Sequence, residues 1–194
     1  MSFDGLIGRV LRAIRLDRAL YNEVEADKSL TQQALLVVIV ASVLSGIGSF
    51  FGALINRSGF GAALLGLVVG IAISIVGYFI WAFIAYFVGT RLFNGTADYG
   101  ELQRTLGYAF APTALGLFSF IPCVGPLIAL VGFVWTLVCG VIAVQEALDF
   151  DLGKAVLTVL IGWIVWFAVS AIIGTIFGLG GFALSAVTDA LGRG

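Results

Sequence analysis

Charged side chains occur in short clusters along this chain, and long uncharged stretches separate the clusters. The stretches without Asp, Glu, Lys or Arg are residues 32–56, 58–90, 105–145 and 155–188. A helix of about 20 residues crosses a bilayer core about 30 Å thick, so the third stretch has room for two helices and the others for one each. The pattern predicts an all-α, polytopic membrane protein, a bundle of five transmembrane helices at residues 34–55, 62–88, 102–121, 127–144 and 155–177.

The first residues follow a different pattern, in which apolar and charged side chains alternate with helical spacing. On a helical wheel Arg9, Arg12 and Arg15 lie opposite an apolar face. That face comprises Phe3, Leu6, Ile7, Val10, Leu11 and Ile14. The pattern predicts an amphipathic helix in the membrane interface, with its arginines near anionic lipid. Packing of the same helix on the protein's own bundle is the alternative.

These segments divide the chain into three regions. Residues 1–28 combine the amphipathic helix with an acidic linker at residues 21–27, and residues 29–177 hold the five spans. Residues 178–194 are a Gly-rich C-terminal tail, expected on the opposite side of the membrane from the N-terminus. Re-entry of the tail as a short sixth segment is the alternative.

Two capping patterns predict where helices begin. Ser29, followed three residues later by Gln32, predicts the start of the first long helix. Asp98, followed by Glu101, predicts that the third helix begins at about Tyr99.

Proline and small residues predict how the spans bend and pack. Pro112 has no amide for the carbonyl of Tyr108 and is expected to kink the third span. The short turn at residues 122–126 predicts that spans three and four form an antiparallel hairpin. Stripes of small residues predict intramolecular helix contacts on spans one, two and five, with dimer contacts as the alternative. They are Ser45, Ser49 and Ala53; Ala62, Gly66, Gly70 and Ser74; and Ser170, Gly174 and Gly178.

Composition and charge agree with a membrane protein and predict its orientation. Hydrophobic residues make up 61% of the chain and charged residues 11%, whereas a soluble domain is about a quarter charged. A net charge of −1 without a basic patch excludes a nucleic-acid partner. With five spans and a cytoplasmic N-terminus, only Arg57 and Arg193 of the ten Lys and Arg residues lie outside. The positive-inside rule favours this orientation.

The residue types leave little room for catalysis. The chain has no histidine, which removes Ser-His and Cys-His pairs and the usual zinc ligand sets. Apart from Arg104 at the start of the third span, no Asp, Glu, Lys or Arg lies within the predicted spans, which disfavours ion transport. We therefore expect no catalytic, metal or cofactor site and a protein that is not an enzyme. The candidate lipid- or partner-binding residues are Arg9, Arg12, Arg15, Glu23, Glu25, Asp98, Arg104, Tyr108 and Pro112; helix capping and solvated loop charge are the alternative explanation for each.

Several segments together resemble one known family. They are the acidic stretch before span one, the loop from Leu92-Phe93-Asn94-Gly95 to Arg104, the segment Gly107-Tyr108-Ala109-Phe110-Ala111-Pro112, and the turn Ile121-Pro122-Cys123-Val124-Gly125-Pro126. In these the chain resembles the Yip (Ypt/Rab-interacting protein) family, particularly its bacterial branch, over residues 21–177. The resemblance implies a five-span bundle in the cell inner (plasma) membrane with a cytoplasmic N-terminus. Eukaryotic relatives are associated with Rab-type GTPases and carry a longer N-terminal region, so that role does not transfer.

Two functions fit these features. The first is a non-catalytic membrane protein that binds membrane lipid, another membrane protein or a second copy of itself through its cytoplasmic end and the span-three kink, and that organises the membrane. The alternative is a transporter, channel or lipid-moving protein for a neutral solute or lipid, with its pathway beside Pro112.

Overall fold

The computed structural model describes the backbone of residues 3–191 and the side chains of residues 5–169, 171, 172 and 175. All regular structure in these residues is helical. The helices are α1 (Phe3–Ile14), α2 (Arg18–Ala26), α3 (Thr31–Ile55), α4 (Phe60–Leu92), α5 (Tyr99–Ala109), α6 (Gly125–Ala147) and α7 (Leu152–Leu191). Two 3₁₀ segments, Lys28–Leu30 and Ala111–Phe120, precede α3 and follow α5.

The predicted all-α membrane architecture is confirmed, with one difference in the third span. In the described residues four helical stretches are long and apolar enough to cross a membrane. They are Lys28–Ile55, Phe60–Leu92, Gly125–Ala147 and Leu152–Val169. The third predicted span, residues 102–121, is instead α5 followed by the long 3₁₀ segment. Placed end to end at ordinary helical rises, the two pieces would measure about 36 Å, similar to the thickness of a bilayer core.

The break lies at Pro112, as the sequence predicts. Helix α5 ends at Ala109, and the amide of Thr113 donates to the carbonyl of Phe110 at 3.1 Å, a shorter loop than an α-helix makes. Since Pro112 has no N–H, the α-helical pattern cannot continue through it. The 3₁₀ segment packs between α3 and α6 and so forms the predicted hairpin with α6.

Small residues allow these helices to approach closely, though not at every predicted stripe. A Cβ on Gly48 of α3 would collide with the backbone of Gly116 in the 3₁₀ segment, and Gly116 in turn lies against Ser45. On span two, Ser74 makes a predicted contact by sharing a hydrogen bond with Ser42 of α3 at 2.9 Å. For Gly66 and Gly70 the prediction is wrong, because both have open space where a Cβ would lie. The stripe on span five involves residues 170, 174 and 178, whose side chains lie outside those described. The predicted tail, residues 178–194, also lies outside the described side chains, although α7 runs to Leu191.

Before the bundle, the acidic segment predicted to be a linker forms helix α2. Asp17 caps it by accepting from the amide of Ala19 at 3.0 Å, and Leu20, Tyr21 and Val24 are completely buried. These apolar positions, one helical turn apart, attach α2 to α5 and α6.

The two predicted helix starts have different outcomes. The first long helical stretch begins at Lys28, one residue from the predicted start. Ser29 is not its cap, however, because its own amide donates to the carboxylate of Asp27 at 2.9 Å in a 3₁₀ turn. At α5 the prediction is confirmed. The carboxylate of Asp98 accepts from the Glu101 amide at 2.8 Å, and Glu101 accepts from the Asp98 amide at 2.7 Å.

Candidate lipid-binding site

Helices α1 and α2 lie at one end of the bundle, where they meet the start of α5 and the end of α6; this end is called the rim below. Glu23 joins the two helices. Its carboxylate accepts from Arg9 Nε at 3.1 Å and from an Arg12 guanidinium nitrogen at 2.9 Å, and Arg12 Nε also donates to Asp17 at 2.7 Å. The bond from Arg12, followed by that from Arg9, holds the pKa of Glu23 below its usual value despite partial burial. Both arginines thus have carboxylate partners within the protein.

The same network continues into the bundle through Gln33. Its amide oxygen accepts from Arg9 at 3.2 Å and from the hydroxyl of Tyr108 at 3.2 Å. The structure therefore brings together four predicted site residues, namely Arg9, Arg12, Glu23 and Tyr108. Sequence reasoning missed Asp17, which bonds to Arg12 in the turn after α1, and Gln33, whose partners Arg9 and Tyr108 are distant in sequence.

Arg104 attaches α2 to α5 in a different way. It is only 3% exposed, and its guanidinium donates to the carbonyl oxygens of Val24, at 3.0 Å, and Glu25. These carbonyls belong to the last turn of α2, where the helix has unpaired acceptors and partial negative charge. Arg104 therefore acts as a C-terminal cap for α2, and among the described residues it forms no salt bridge.

The side chain of Glu25 lies near further carboxylates. Burial, and next the charges of Glu101 and Asp149, raise the pKa of Glu25 to about 7, although Arg104 opposes the shift. Glu146, a smaller contributor, is also held by Arg18 at 3.4 Å. The charge of this part of the rim therefore changes near neutral pH.

The remaining predicted residues do not join these clusters. Asp98 is occupied as the α5 cap. Arg15 is exposed just after α1 and has no side-chain hydrogen bond or salt bridge within the described part of the chain. Pro112 is buried at the break, and its carbonyl oxygen would lie 2.8 Å from a Cβ on Gly132 of α6. Its position gives Pro112 a structural role in the hairpin.

Helix α1 both packs on the bundle and leaves part of its apolar face uncovered. Leu6, Val10 and Ile14 pack against the core, and the Trp135 indole donates to the carbonyl of Ile14 at 2.8 Å. Ile7 and Leu11 are 48% and 47% exposed. The exposed pair therefore forms the free surface of a helix that is fixed in place on its other side.

A groove of about 300 Å³ separates this part of α1 from α3 and the start of the 3₁₀ segment. Its lining is apolar: Leu6, Ile7, Val10 and Leu11 from α1, Leu36, Val37, Val40, Ala41 and Leu44 from α3, and Ala111 and Ala114. The α3 residues lie about 8 to 20 Å along that helix, which is the first half of a membrane span. The groove therefore opens at a depth where lipid would surround it.

Comparison with known proteins gives one match. A family model described as the Yip1 domain matches residues 17–174, a segment that begins just before α2 and covers most of the chain. No curated protein and no solved structure matches the chain.

Proposed function

This chain belongs to the Yip1 domain family, and from that premise we propose that it is a non-catalytic, multi-pass membrane protein that binds membrane lipid at the rim and thereby organises the bilayer. The excess of positive charge on the N-terminal side supports a cytoplasmic rim, and the resemblance to bacterial relatives supports the inner membrane.

One observation carries this proposal, namely the exposed apolar pair of α1 beside the apolar groove. Arg9 and Arg12 have partners on α2, so their charge is largely compensated within the protein. Lipid contact then depends on Ile7 and Leu11, with Arg15 as the available cation for an anionic headgroup. Burying half of each apolar side chain in lipid contributes about 1 kcal/mol per residue, and Arg15 near an anionic surface contributes about as much.

The double change Ile7→Gln and Leu11→Gln tests the proposal. It keeps helix-forming residues but removes the apolar contact, so we expect fewer lipid molecules to remain bound per protein after purification in mild detergent. Gly8→Gln is the matched control, because Gly8 is exposed on α1 and a Cβ there meets nothing. Equal lipid content in the two variants, measured by mass spectrometry, would refute lipid binding by α1. Loss of a co-purifying protein or of dimers instead would assign the surface to that partner.

A transport function is the second candidate, favoured by the break between α5 and the 3₁₀ segment, because interrupted helices at membrane depth accompany substrate sites. The uncharged spans restrict its substrate to a neutral solute or lipid. Reconstituted liposomes test this candidate: lipid flip or solute flux above that of empty vesicles would support it, and equal rates would exclude it for the substrates tested.

A further inference from the structure

Helix α1 lies along the side of the bundle, below the rim ends of its neighbours, and two side chains of α6 fix its level. The Cys139 thiol donates to the carbonyl of Ala13 at 3.7 Å, and the Trp135 indole donates to that of Ile14 at 2.8 Å. Trp135 and Cys139 follow the first residue of α6, Gly125, by ten and fourteen residues. At about 1.5 Å per residue, the end of α1 therefore lies about 15 to 21 Å from the start of α6.

Helix α3 gives the same level for α1. The α3 residues that line the groove beside α1 run from Leu36 to Leu44, about 28 to 16 Å before the end of this helix at Ile55. The end of α3 and the start of α6 lie together opposite the rim, since a Cβ on Gly52 would lie 3.8 Å from Phe120, just before the turn into α6. This end of the bundle is called the far end below. Both helices thus place α1 about 20 Å from the far end.

Exposed apolar side chains continue to the far end. Ile55, Phe60, Val124 and Leu127 lie there, and each is more than half exposed. Apolar surface of this kind is unfavourable in water, and the polar residues 56–58 follow directly in the loop between α3 and α4. The hydrocarbon core of the membrane therefore extends to the far end of the bundle.

On the side of α1, the hydrocarbon ends where the charges of α1 begin. Arg12 lies in the last turn of this helix, and the exposed Arg15 and the carboxylate of Asp17 follow it directly. Charged groups within hydrocarbon are unfavourable, although a long arginine side chain extends a few ångströms toward the headgroups. The apolar height of this face is therefore about 20 Å, whereas an ordinary bilayer core is about 30 Å thick.

The face formed by α4 is taller. Exposed apolar side chains follow this helix from Phe60 through Ile73 to Phe87, a distance of about 40 Å at the rise of an α-helix. The single charged residue of α4 is Arg91, one residue before its rim end. Two faces of the same bundle therefore fit bilayers of different thickness.

We propose that the α1 face takes up phospholipids with short acyl chains and so thins the bilayer beside it. A bilayer adjusts to a short apolar surface by thinning, and lipids with short chains need the least adjustment. The hydrogen bonds from Cys139 and Trp135 hold α1 at this level on the bundle. The inference rests on the proposed function, because it requires contact between α1 and lipid.

Quenching of tryptophan fluorescence measures the chain-length preference of each face. Trp135 is 38% exposed beside the end of α1, whereas the other three tryptophans lie on α4 and α7. Brominated phosphatidylcholine with 18-carbon chains quenches them in reconstituted bilayers, and unlabelled monounsaturated phosphatidylcholine with 14- or 22-carbon chains competes with it. The Trp135 signal is the difference between the unmodified protein and Trp135→Phe. We expect the 14-carbon lipid to compete at least twofold better than the 22-carbon lipid at Trp135, with no such preference in the quenching that remains in Trp135→Phe.

A change of charge on α1 tests the cause of this preference. Arg15→Leu extends the apolar surface toward the rim and removes no side-chain hydrogen bond or ion pair among the described residues, so the preference at Trp135 should fall toward equality. Lys28→Leu is the matched control. It loses the same charge from an exposed position about 40 Å before Ile55, beyond the thickness of a bilayer core, and should leave the preference unchanged.

Equal competition by the two lipids at Trp135, or better competition by the 22-carbon lipid, would overturn the proposal. An equal loss of the preference in Arg15→Leu and Lys28→Leu would also overturn it, because the level of the charge would then not matter. Cross-linking of a photoreactive phospholipid to α1 separates this proposal from the proposed function. Cross-links on α1 together with equal competition would leave lipid binding by α1 intact and refute only the thinning.

Discussion

Among single residues, Arg12 and Arg15 provide a matched pair of rim cations. Arg12 bonds to Asp17 and Glu23, whereas Arg15 is exposed without a side-chain partner in the described residues. We expect Arg12→Gln to loosen α1, because it removes the ion pairs that hold α1 to Asp17 and to Glu23 of α2. Amide hydrogen exchange in α1 should accelerate about two- to fivefold in this variant and stay unchanged in Arg15→Gln. Equal acceleration in both variants would show that the bonds to α2 do not hold α1.

Glu25 makes the stability of the fold depend on pH. Its pKa is raised from 4.5 to about 7 in the folded protein, so the folded state holds the proton more tightly than the unfolded state. Stability should therefore fall as pH rises from about 4.5 to 7. Solvent screening at this partly exposed site reduces the effect to about 1 kcal/mol.

Glu25→Gln should remove this slope and raise the melting temperature at pH 8. Thermal unfolding in lipid at pH 5 and pH 8 measures how the melting temperature changes with pH. Glu23→Gln is a control for which the pH dependence has the opposite sign. The folded state lowers the pKa of Glu23 and so favours its charged form. A pH slope that persists unchanged in Glu25→Gln would contradict the assignment.

Between elements, the contact of α3 with the 3₁₀ segment depends on glycine. Gly48→Ala would force the backbones apart at Gly116, so we expect a loss of about 1 to 3 kcal/mol in the free energy of unfolding. Gly66→Ala is the matched helical control, because its Cβ meets nothing, and it should be neutral or stabilising by up to about 1 kcal/mol. Unfolding in mixed detergent micelles measures both. A neutral Gly48→Ala would mean that α3 and the 3₁₀ segment are not in close contact.

The elements that sequence reasoning predicted correctly are those set by local signals. Uncharged stretches set the long helices, the Asp98–Glu101 pair sets the start of α5, and Pro112 sets its break. The errors arose where a distant partner decides the outcome. Gly66 has the spacing of a contact residue but no helix beside it, and residues 21–27 are acidic yet place Tyr21 and Val24 in the core.

The candidate site follows the same division. The spacing of Ile7 and Leu11 predicted an apolar helix face, but the groove exists only because α1 packs on α5 and the 3₁₀ segment and leaves a gap to α3. The partners of Arg9 are fourteen and twenty-four residues away, and Arg104 caps a helix about eighty residues before it. The sequence therefore supplies the residue types at the rim, and the tertiary fold decides which charges remain available to a ligand.

For the whole molecule, α1 and α2 close one end of a membrane bundle, and one uncovered apolar strip of α1 continues into lipid depth along α3. Binding of lipid by this strip is the central claim. It requires α1 to lie in the bilayer interface rather than in water, with Ile7 and Leu11 directed to lipid and the Arg12 side in the aqueous layer.

The most direct measurement of lipid contact by α1 is cross-linking to a photoreactive phospholipid in nanodiscs. Mass spectrometry then maps the cross-linked sites. We predict cross-links on residues 6–11 of α1 and residues 36–44 of α3, beside those on the exposed face of α4 that serve as the positive control. Cross-links on α4 together with none on α1 would contradict lipid binding at the rim.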